Sequence, residues 1–219
     1  MGMSEAKKIF VVGAGGHARV VLDAILMQPH TFQVTAITDS NVNLHGKTLY
    51  GLPIAGDESV WENLKRSGVI HSVVAIGDNK ARARMADKLR YGGFELVNVI
   101  HPSAVVSPHA HLEKGIVVMA GAIIQSGAEV HDNVIINTGA SIDHDCVIER
   151  HVHIAPGSHL GGNVQISEGT LVGIGSSVVP HTTIGKWCVI GAGSVVKDEI
   201  GSWQMAAGVP ARIIKPLSQ

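Results

Sequence analysis

Residues 104–199 can be written as sixteen consecutive groups of six: AVVSPH, AHLEKG, IVVMAG, AIIQSG, AEVHDN, VIINTG, ASIDHD, CVIERH, VHIAPG, SHLGGN, VQISEG, TLVGIG, SSVVPH, TTIGKW, CVIGAG and SVVKDE. The third residue of every group, from Val106 to Val196, is Val, Ile or Leu. A six-residue period fits neither a helix nor a hairpin sheet, because side chains there repeat about every 3.6 and 2 residues. It predicts a short strand followed by a turn, with one aliphatic side chain per strand pointing inward.

Three such strands would close a triangular coil of about eighteen residues, and stacked coils would bury the aliphatic side chains in ladders. The first residue of each group is small or β-branched, which we interpret as a requirement of a tight corner. Parallel crossovers are generally right-handed, so the general rule would not predict a left-handed coil. A β-sandwich is the alternative, but it predicts irregular turns and loops that this repeat lacks.

The first hundred residues predict a small Rossmann-like α/β unit, with strands over residues 8–12, 33–38, 71–76 and 94–99 and helices over 19–27 and 80–91. The first strand runs into the turn GAGGHA, and glycines at such a turn let a phosphate approach the N-terminus of the next helix. We therefore predict a nucleotide site at the strand ends, formed by Gly13, Gly15, Gly16, His17, Asp39, Ser40, Gly77, Asp78 and Asn79. A purely structural turn and a dinucleotide site are the alternatives. About 100 residues leave room for only one mononucleotide-binding half.

The composition excludes several classes of function. The formal net charge is −1, which argues against a nucleic-acid partner. No apolar run approaches the length of a membrane span and no signal peptide is evident, so we predict a cytoplasmic protein without membrane partners. Cys146 and Cys188 lack CxxC spacing and occupy the first position of their groups, which predicts packing rather than a disulfide or a zinc site.

Several motifs together resemble one family over residues 7–214. They are the GAGGHA turn, the strand end IGDN, the junction IHPSA, the six-residue array and the closing GVPAR. This combination is similar to the sugar acyltransferases of the bacterial PglD and NeuD type. The resemblance implies domains at residues 1–100 and 101–219, a left-handed parallel β-helix, and a homotrimer with acetyl-CoA bound between subunits. It also implies N-acetylation of a nucleotide-linked amino sugar for surface glycan biosynthesis, with a UDP-4-amino-4,6-dideoxy sugar as first choice.

The resemblance places the catalytic base at His144, and an imidazole suits this role because it titrates close to neutral pH. Asp145 follows it where many relatives carry Glu, and either Asp145 or Asp143 is expected to orient the imidazole. The resemblance assigns His153 and the backbone amide of Gly162 to the thioester oxygen. The further acetyl-CoA contacts that it implies are Gly173, Ile174, Gly191, Arg212 and Lys215.

Three other functions stay open from the sequence. O-acetylation of a sugar hydroxyl would use the same base. Metal-dependent carbonic anhydrases share the fold, but no two of the eight histidines in residues 104–199 are eighteen or thirty-six apart, so we predict no metal site. A non-catalytic scaffold would require neither the glycine turn nor the His144–Asp145 pair.

Overall fold

The computed structural model describes residues 6–218 and divides the chain into two compact units, with the boundary between Pro102 and Ser103. Within the described range, every helix is too short or too polar to traverse a lipid bilayer.

The first unit is an α/β unit with seven strands and three helices. Its strands are β1 Lys7–Val12, β2 Phe32–Thr38, β3 Thr48–Leu49, β4 Leu52–Gly56, β5 His71–Val74, β6 Glu95–Leu96 and β7 Val99–Ile100. Its helices are α1 Gly16–Leu26, α2 Trp61–Arg66 and α3 Asn79–Tyr91, with 3₁₀ turns at Val42–Leu44 and Glu58–Val60. Six of the strands form one sheet in the order β3-β4-β2-β1-β5-β6, parallel except between β3 and β4.

The predicted strands and helices of this unit are present with shifted ends, except that one predicted strand divides into β6 and β7. The antiparallel pair β3–β4 and the helix α2 were not predicted, because elements of two to six residues carry little periodic signal. The core is aliphatic with one aromatic group, in which Phe10 packs edge-on against Phe94 at 5.3 Å between ring centroids and Trp61 packs against both. This packing holds the carboxyl ends of β1 and β2 beside α2.

The second unit contains sixteen two-residue strands, and each occupies the second and third positions of one six-residue group. They are β8 Val105–Val106, β9 His111–Leu112, β10 Val117–Val118, β11 Ile123–Ile124, β12 Glu129–Val130, β13 Ile135–Ile136, β14 Ser141–Ile142, β15 Val147–Ile148, β16 His153–Ile154, β17 His159–Leu160, β18 Gln165–Ile166, β19 Leu171–Val172, β20 Ser177–Val178, β21 Thr183–Ile184, β22 Val189–Ile190 and β23 Val195–Val196. A hairpin of β24 Gln204–Gly208 and β25 Ala211–Pro216 follows.

Strands eighteen residues apart pair in parallel, as in Ile124 with Ile142, and this builds the three sides of a β-helix. The first side contains β8, β11, β14, β17, β20 and β23; the second contains β9, β12, β15, β18 and β21; the third contains β10, β13, β16, β19 and β22 and continues into the hairpin. From Val118 to Val196, every third-position side chain is at most 3% exposed. The predicted inward ladders are confirmed.

The interpretation of the first position as a corner residue is wrong. From Ile116 to Ser194, these side chains are buried beside the third-position ladders. The turn lies at the fifth and sixth positions, and the sixth residue of fourteen groups has a φ between +53° and +74°. Glycine adopts this left-handed conformation most easily. Small first-position side chains fit because the interior of the coil is narrow.

Two of the three corners of the β-helix carry predicted site residues. Corner A joins the first and second sides and contains residues 126–127, 144–145 and 162–163. Corner B joins the third and first sides and contains residues 120–121, 156–157, 174–175 and 192–193.

Substitution of two neighbouring residues of β18 tests which side chains form the inward ladder. Ile166 is fully buried and Gln165 is exposed. We expect Ile166→Ala to lower the free energy of unfolding by about 2–5 kcal/mol, because it leaves a cavity in the ladder. Gln165→Ala should change it by only ~0.5 kcal/mol, as is usual at the surface. Equilibrium urea unfolding of both variants measures this, and equal losses would contradict the assignment of the inward face.

Candidate active site

His144 and Asp145 form a hydrogen-bonded pair at corner A. Nδ1 of His144 donates to Oδ2 of Asp145 at 2.8 Å, and the side chains are 56% and 61% exposed. Asp143 takes a different role, because its Oδ1 accepts the backbone N–H of His144 at 2.8 Å. Of the two carboxylates that the sequence offered as partners, Asp145 is therefore the one that contacts the imidazole.

This pair determines the protonation of the imidazole. The hydrogen bond to Asp145 raises the pKa of His144 above its ordinary value; desolvation opposes this shift, and the charges of Asp143 and Asp145 add to it. In the neutral ring the proton stays on Nδ1, so the lone pair lies on Nε2. In the part of the chain that the structure describes, no hydrogen bond engages Nε2. The result is a base at corner A with an available lone pair on Nε2.

Two glycines form the notch in which the pair lies. A Cβ on Gly162, one coil above His144, would lie 2.5 Å from Nε2 of the imidazole. A Cβ on Gly127, one coil below Asp145, would overlap Oδ1 of its carboxylate. Only glycine at these two positions leaves room for both side chains.

The backbone N–H of Gly162 is a hydrogen-bond donor beside Nε2. The flanking amides are engaged: Gly161 donates to the carbonyl of Val178, and Asn163 donates to the carbonyl of His144. Over residues 6–218, no acceptor is found for the amide of Gly162. An unsatisfied amide next to a base can stabilise an oxyanion.

His153 lies apart from this corner in a single chain. It belongs to β16 on the third side of the coil, opposite the corner that joins the first and second sides. Nδ2 of Asn137 donates to Nε2 of His153 at 3.0 Å, and the Asn137 amide is oriented by the N–H of Thr138, which donates to its Oδ1. With Nε2 accepting, the proton of a neutral His153 ring is on Nδ1.

The remaining predicted acetyl-CoA residues lie near corner B and on the hairpin. A Cβ on Gly173 would overlap the carbonyl of Ile190, and one on Gly191 would lie 2.7 Å from Cβ of Ala207, so close packing between layers already requires both glycines. Ile174 is 60% exposed at the corner itself. Arg212 and Lys215 lie on β25, and Arg212 pairs with Asp198 at 3.4 Å. A contact of these residues with acetyl-CoA stays a prediction.

In the first unit, the three turn glycines have different roles. Gly13 has a φ of +111°, and a Cβ there would lie 2.8 Å from the carbonyl of Ala75, so the close approach of β1 and β5 requires glycine. At Gly15 and Gly16 a Cβ would meet open space. No side chain caps α1, which begins at Gly16, and the N-terminus of a helix without a side-chain cap can bind an anion. This is the geometry expected at a phosphate site.

Asp39 and Ser40 line a cavity of about 180 Å³ at the carboxyl ends of β1 and β2. Asp39 also holds the turn together, since its carboxylate accepts the N–H groups of Ala14 at 2.7 Å and Asn41 at 2.8 Å. Asp57, Glu58 and Trp61 line the same cavity but were not predicted, because α2 and the turn before it were missed. Lys88 of α3 also lines it and was not assigned to the site, although its helix was predicted.

The segment from Gly77 to Asn79 begins α3. Asp78 caps this helix by accepting the N–H of Ala81 at 2.7 Å, and Asn79 is buried. Arg82, which is 1% exposed, donates to the carbonyls of Ile76 and Gly77 at 3.2 Å. Burial lowers the pKa of Arg82 to about 9, against the opposing effect of Asp78. The guanidinium stays charged at neutral pH and anchors this strand end.

His17 is neutral at physiological pH. Burial, followed by the charge of Arg82, lowers the pKa of His17 to about 4. It therefore contributes no positive charge to a phosphate site. Sequence reasoning missed Arg82, Gly127 and Asn137. For Arg82 alone a signal was available, since it is an arginine at a position of α3 that faces the sheet.

No group of three or more His, Cys, Asp or Glu side chains in residues 6–218 is arranged to hold a metal ion. Both cysteines are buried free thiols, which confirms their packing role.

Residues 8–89 match the PglD N-terminal domain, and residues 127–162 and 163–198 match the bacterial transferase hexapeptide of six repeats. The chain is also similar to PerB from Caulobacter crescentus, solved with CoA and GDP-perosamine: the two are 40% identical, the match covers 95% of this chain and 97% of that one, and the TM-score is 0.90. The chain belongs to the PglD-type sugar acyltransferase family.

Two further relatives of this family support the assignment. The acetyltransferase domain of PglB from Neisseria gonorrhoeae FA1090 is 36% identical over 95% of this chain and 100% of that one, with a TM-score of 0.88. UDP-N-acetylbacillosamine N-acetyltransferase of Bacillus subtilis (strain 168) is 38% identical over 116 residues, 52% of this chain, and the match spans 52% of that relative's length. The predicted Rossmann-like unit, followed along the chain by a left-handed parallel β-helix, is confirmed, as is an acetyltransferase that uses acetyl-CoA.

The hydrogen bond between His144 and Asp145 leads to a prediction about the pKa of His144. In Asp145→Asn the pKa of His144 should fall, because the carboxylate that favours the imidazolium is removed. Histidine NMR titration measures the pKa, with His144→Asn used to assign the resonance. An unchanged pKa would contradict the contact. The same loss in Asp143→Asn would indicate that overall charge, and not the hydrogen bond, sets the pKa.

Proposed function

We propose that this chain transfers the acetyl group of acetyl-CoA to the amine of a nucleotide-linked amino sugar, with His144 as the general base. One observation carries this proposal: Nε2 of His144 is an available lone pair whose position and tautomer are set by Asp145, and it lies beside the unsatisfied N–H of Gly162.

The transfer is direct and requires one proton to be moved. As the amine attacks the thioester carbonyl carbon, the nitrogen loses a proton to Nε2 of His144. Asp145 stabilises the imidazolium that forms, through the Nδ1 hydrogen bond. When the carbon–sulfur bond breaks, the imidazolium returns the proton to the departing thiolate of CoA. Both cysteines are buried in packing positions, so no covalent acyl-enzyme is invoked.

The carbonyl oxygen becomes negative as the amine adds to the thioester. The N–H of Gly162 is the donor that we assign to this charge, because it is the unpaired amide next to the base. His153, which the family resemblance assigns to the same oxygen, is the second donor in this proposal. Since His153 lies on the side of the coil opposite corner A, this second donor has to come from another copy of the chain.

The need for a second copy supports the proposed homotrimer with acetyl-CoA between subunits. In this arrangement Gly173, Ile174, Gly191, Arg212 and Lys215 line the path of the coenzyme. A cytoplasmic location belongs to the same proposal, since the two unpaired cysteines suit a reducing compartment.

The acceptor is the amine of a sugar whose nucleotide is held by the first unit. The open backbone of Gly15 and Gly16 at α1 supports phosphate binding there, with Asp39 and Ser40 in the adjoining cavity. The relatives are named for nucleotide sugars of different kinds, one GDP-linked and one UDP-linked, and for N-acetylation, which favours an amine over a hydroxyl. The UDP-4-amino-4,6-dideoxy sugar stays a prediction, and a panel of UDP-, GDP- and dTDP-linked amino sugars tests it.

Replacing the base tests the central assignment. His144→Ala should lower kcat by roughly two to four powers of ten, the usual contribution of a general base. The side chain is on the surface, so the unfolding transition should change little. His111→Ala, an exposed histidine on the second side, is the control and should keep its activity. Steady-state acetyl transfer measures both, and a His144→Ala enzyme within a few-fold of wild type would overturn the assignment.

A negative charge introduced at the start of α1 tests the predicted nucleotide site. Gly16→Asp should weaken nucleotide-sugar binding about tenfold relative to the isosteric Gly16→Asn, because a carboxylate there repels the phosphates. The helix itself is not harmed, since acidic residues are favourable at a helix N-terminus. Calorimetric titration at low and high salt measures the difference, which should shrink with salt. Equal affinities of the two variants at low salt would indicate that the phosphates bind at another place.

A further inference from the structure

The carboxylate of Asp145 fills space that a side chain on the coil below would need. Its Oδ2 accepts from His144, and its Oδ1 lies over Gly127, where any Cβ would overlap it. The backbone joins the same two coils, because the N–H of Asp145 donates to the carbonyl of Ser126 at 3.2 Å. The position of the carboxylate therefore depends on what occupies position 127.

The turn alone does not explain a glycine at position 127. Gly127 has a φ of +74°, as the sixth residue of its group. Six other groups place a larger residue in the same left-handed conformation; these are Asn133, Asp145, His151, Asn163, His181 and Trp187. Positive φ is therefore tolerated by non-glycine residues in this β-helix. The carboxylate lying over Gly127 is what distinguishes this position.

We propose that Gly127 is a positioning residue for the acetyl transfer: its missing side chain leaves the space that lets Asp145 reach Nδ1 of His144. This inference rests on the proposed role of His144 as the base. Gly127 touches neither the reacting atoms nor the imidazole, and it acts through Asp145.

The charges around the imidazole are few. From its own coil, Asp143 and Asp145 face it. At corner A the coil below presents Ser126 and Gly127 and the coil above presents Gly162 and Asn163, none of which titrates. The thiol of Cys146 is buried inside the coil. A displacement of Asp145 should therefore be visible in the titration of His144.

Gly127→Ala tests the proposal. The added Cβ should push the carboxylate off Nδ1, so the pKa of His144 should fall toward its ordinary value and the acid limb of the kcat–pH profile should move to lower pH. We expect kcat to fall by about ten- to a hundredfold, as for the loss of other groups that orient an active-site side chain. The KM for acetyl-CoA should stay within about twofold, because only transition-state stabilisation is removed.

Gly121→Ala is the matched control for backbone strain. Gly121 has a φ of +67° at corner B, and the nearest atom to a Cβ there is 4.0 Å away. It should show a similar loss of thermal stability to Gly127→Ala, with kcat and the pKa of His144 unchanged.

A double-mutant cycle separates positioning from general damage. In an Asp145→Ala background there is no carboxylate to displace, so adding Gly127→Ala should change kcat by less than about twofold. Asp145→Asn is unsuitable as a background because its amide has the same shape and would still collide.

The outcomes are distinct. An unchanged pKa of His144 in Gly127→Ala, or an undiminished loss of kcat in the Asp145→Ala background, overturns the positioning role. Retained activity in His144→Ala overturns the proposed base instead. The NMR titration still tests the contact in that case, since it does not depend on catalysis.

Discussion

The stacking of inward aliphatic side chains is the interaction on which the second unit depends. Each strand contributes only two residues, so no strand is stable alone, and burial between successive coils supplies the stabilisation. The ladders also set the register: residues eighteen apart lie directly above one another. This register brings Gly127, Asp145 and Gly162, which are distant in sequence, to one corner. The core thus defines the site, although none of its side chains takes part in the chemistry.

At corner A the surroundings provide orientation more than binding energy. His144 and Asp145 are more than half exposed, and ion pairs at such exposure contribute little to stability. Their value lies in the tautomer: the proton on Nδ1 is directed to Asp145, and the lone pair remains on Nε2. The two glycines serve the same end, because each leaves space that one of the two side chains occupies. In the proposed mechanism the base has to release its proton again, and such limited stabilisation suits that step.

In the first unit, close packing and hydrogen bonds hold the strand ends around the start of α1 in place. Gly13 permits the close approach of two strands, and Asp39 ties the turn to the end of β2. Arg82 holds the opposite strand end from within the core, and its charge helps to keep His17 neutral. Rigid strand ends with one open helix terminus are suited to holding a phosphate in a defined place.

Periodicity determined most of the fold from the sequence alone, because one buried aliphatic every six residues is compatible with few architectures; the strand positions and the ladders follow from it. The resemblance of motifs pointed to His144, which a periodic pattern does not mark. Tertiary structure alone decided that Asp145 and not Asp143 contacts the imidazole, that first-position residues face inward, and that Gly127 lies under the carboxylate. The physical reason is that these three features are turn geometries and contacts between successive coils. They depend on backbone angles and on atoms eighteen residues away, which a local pattern of residue types does not encode.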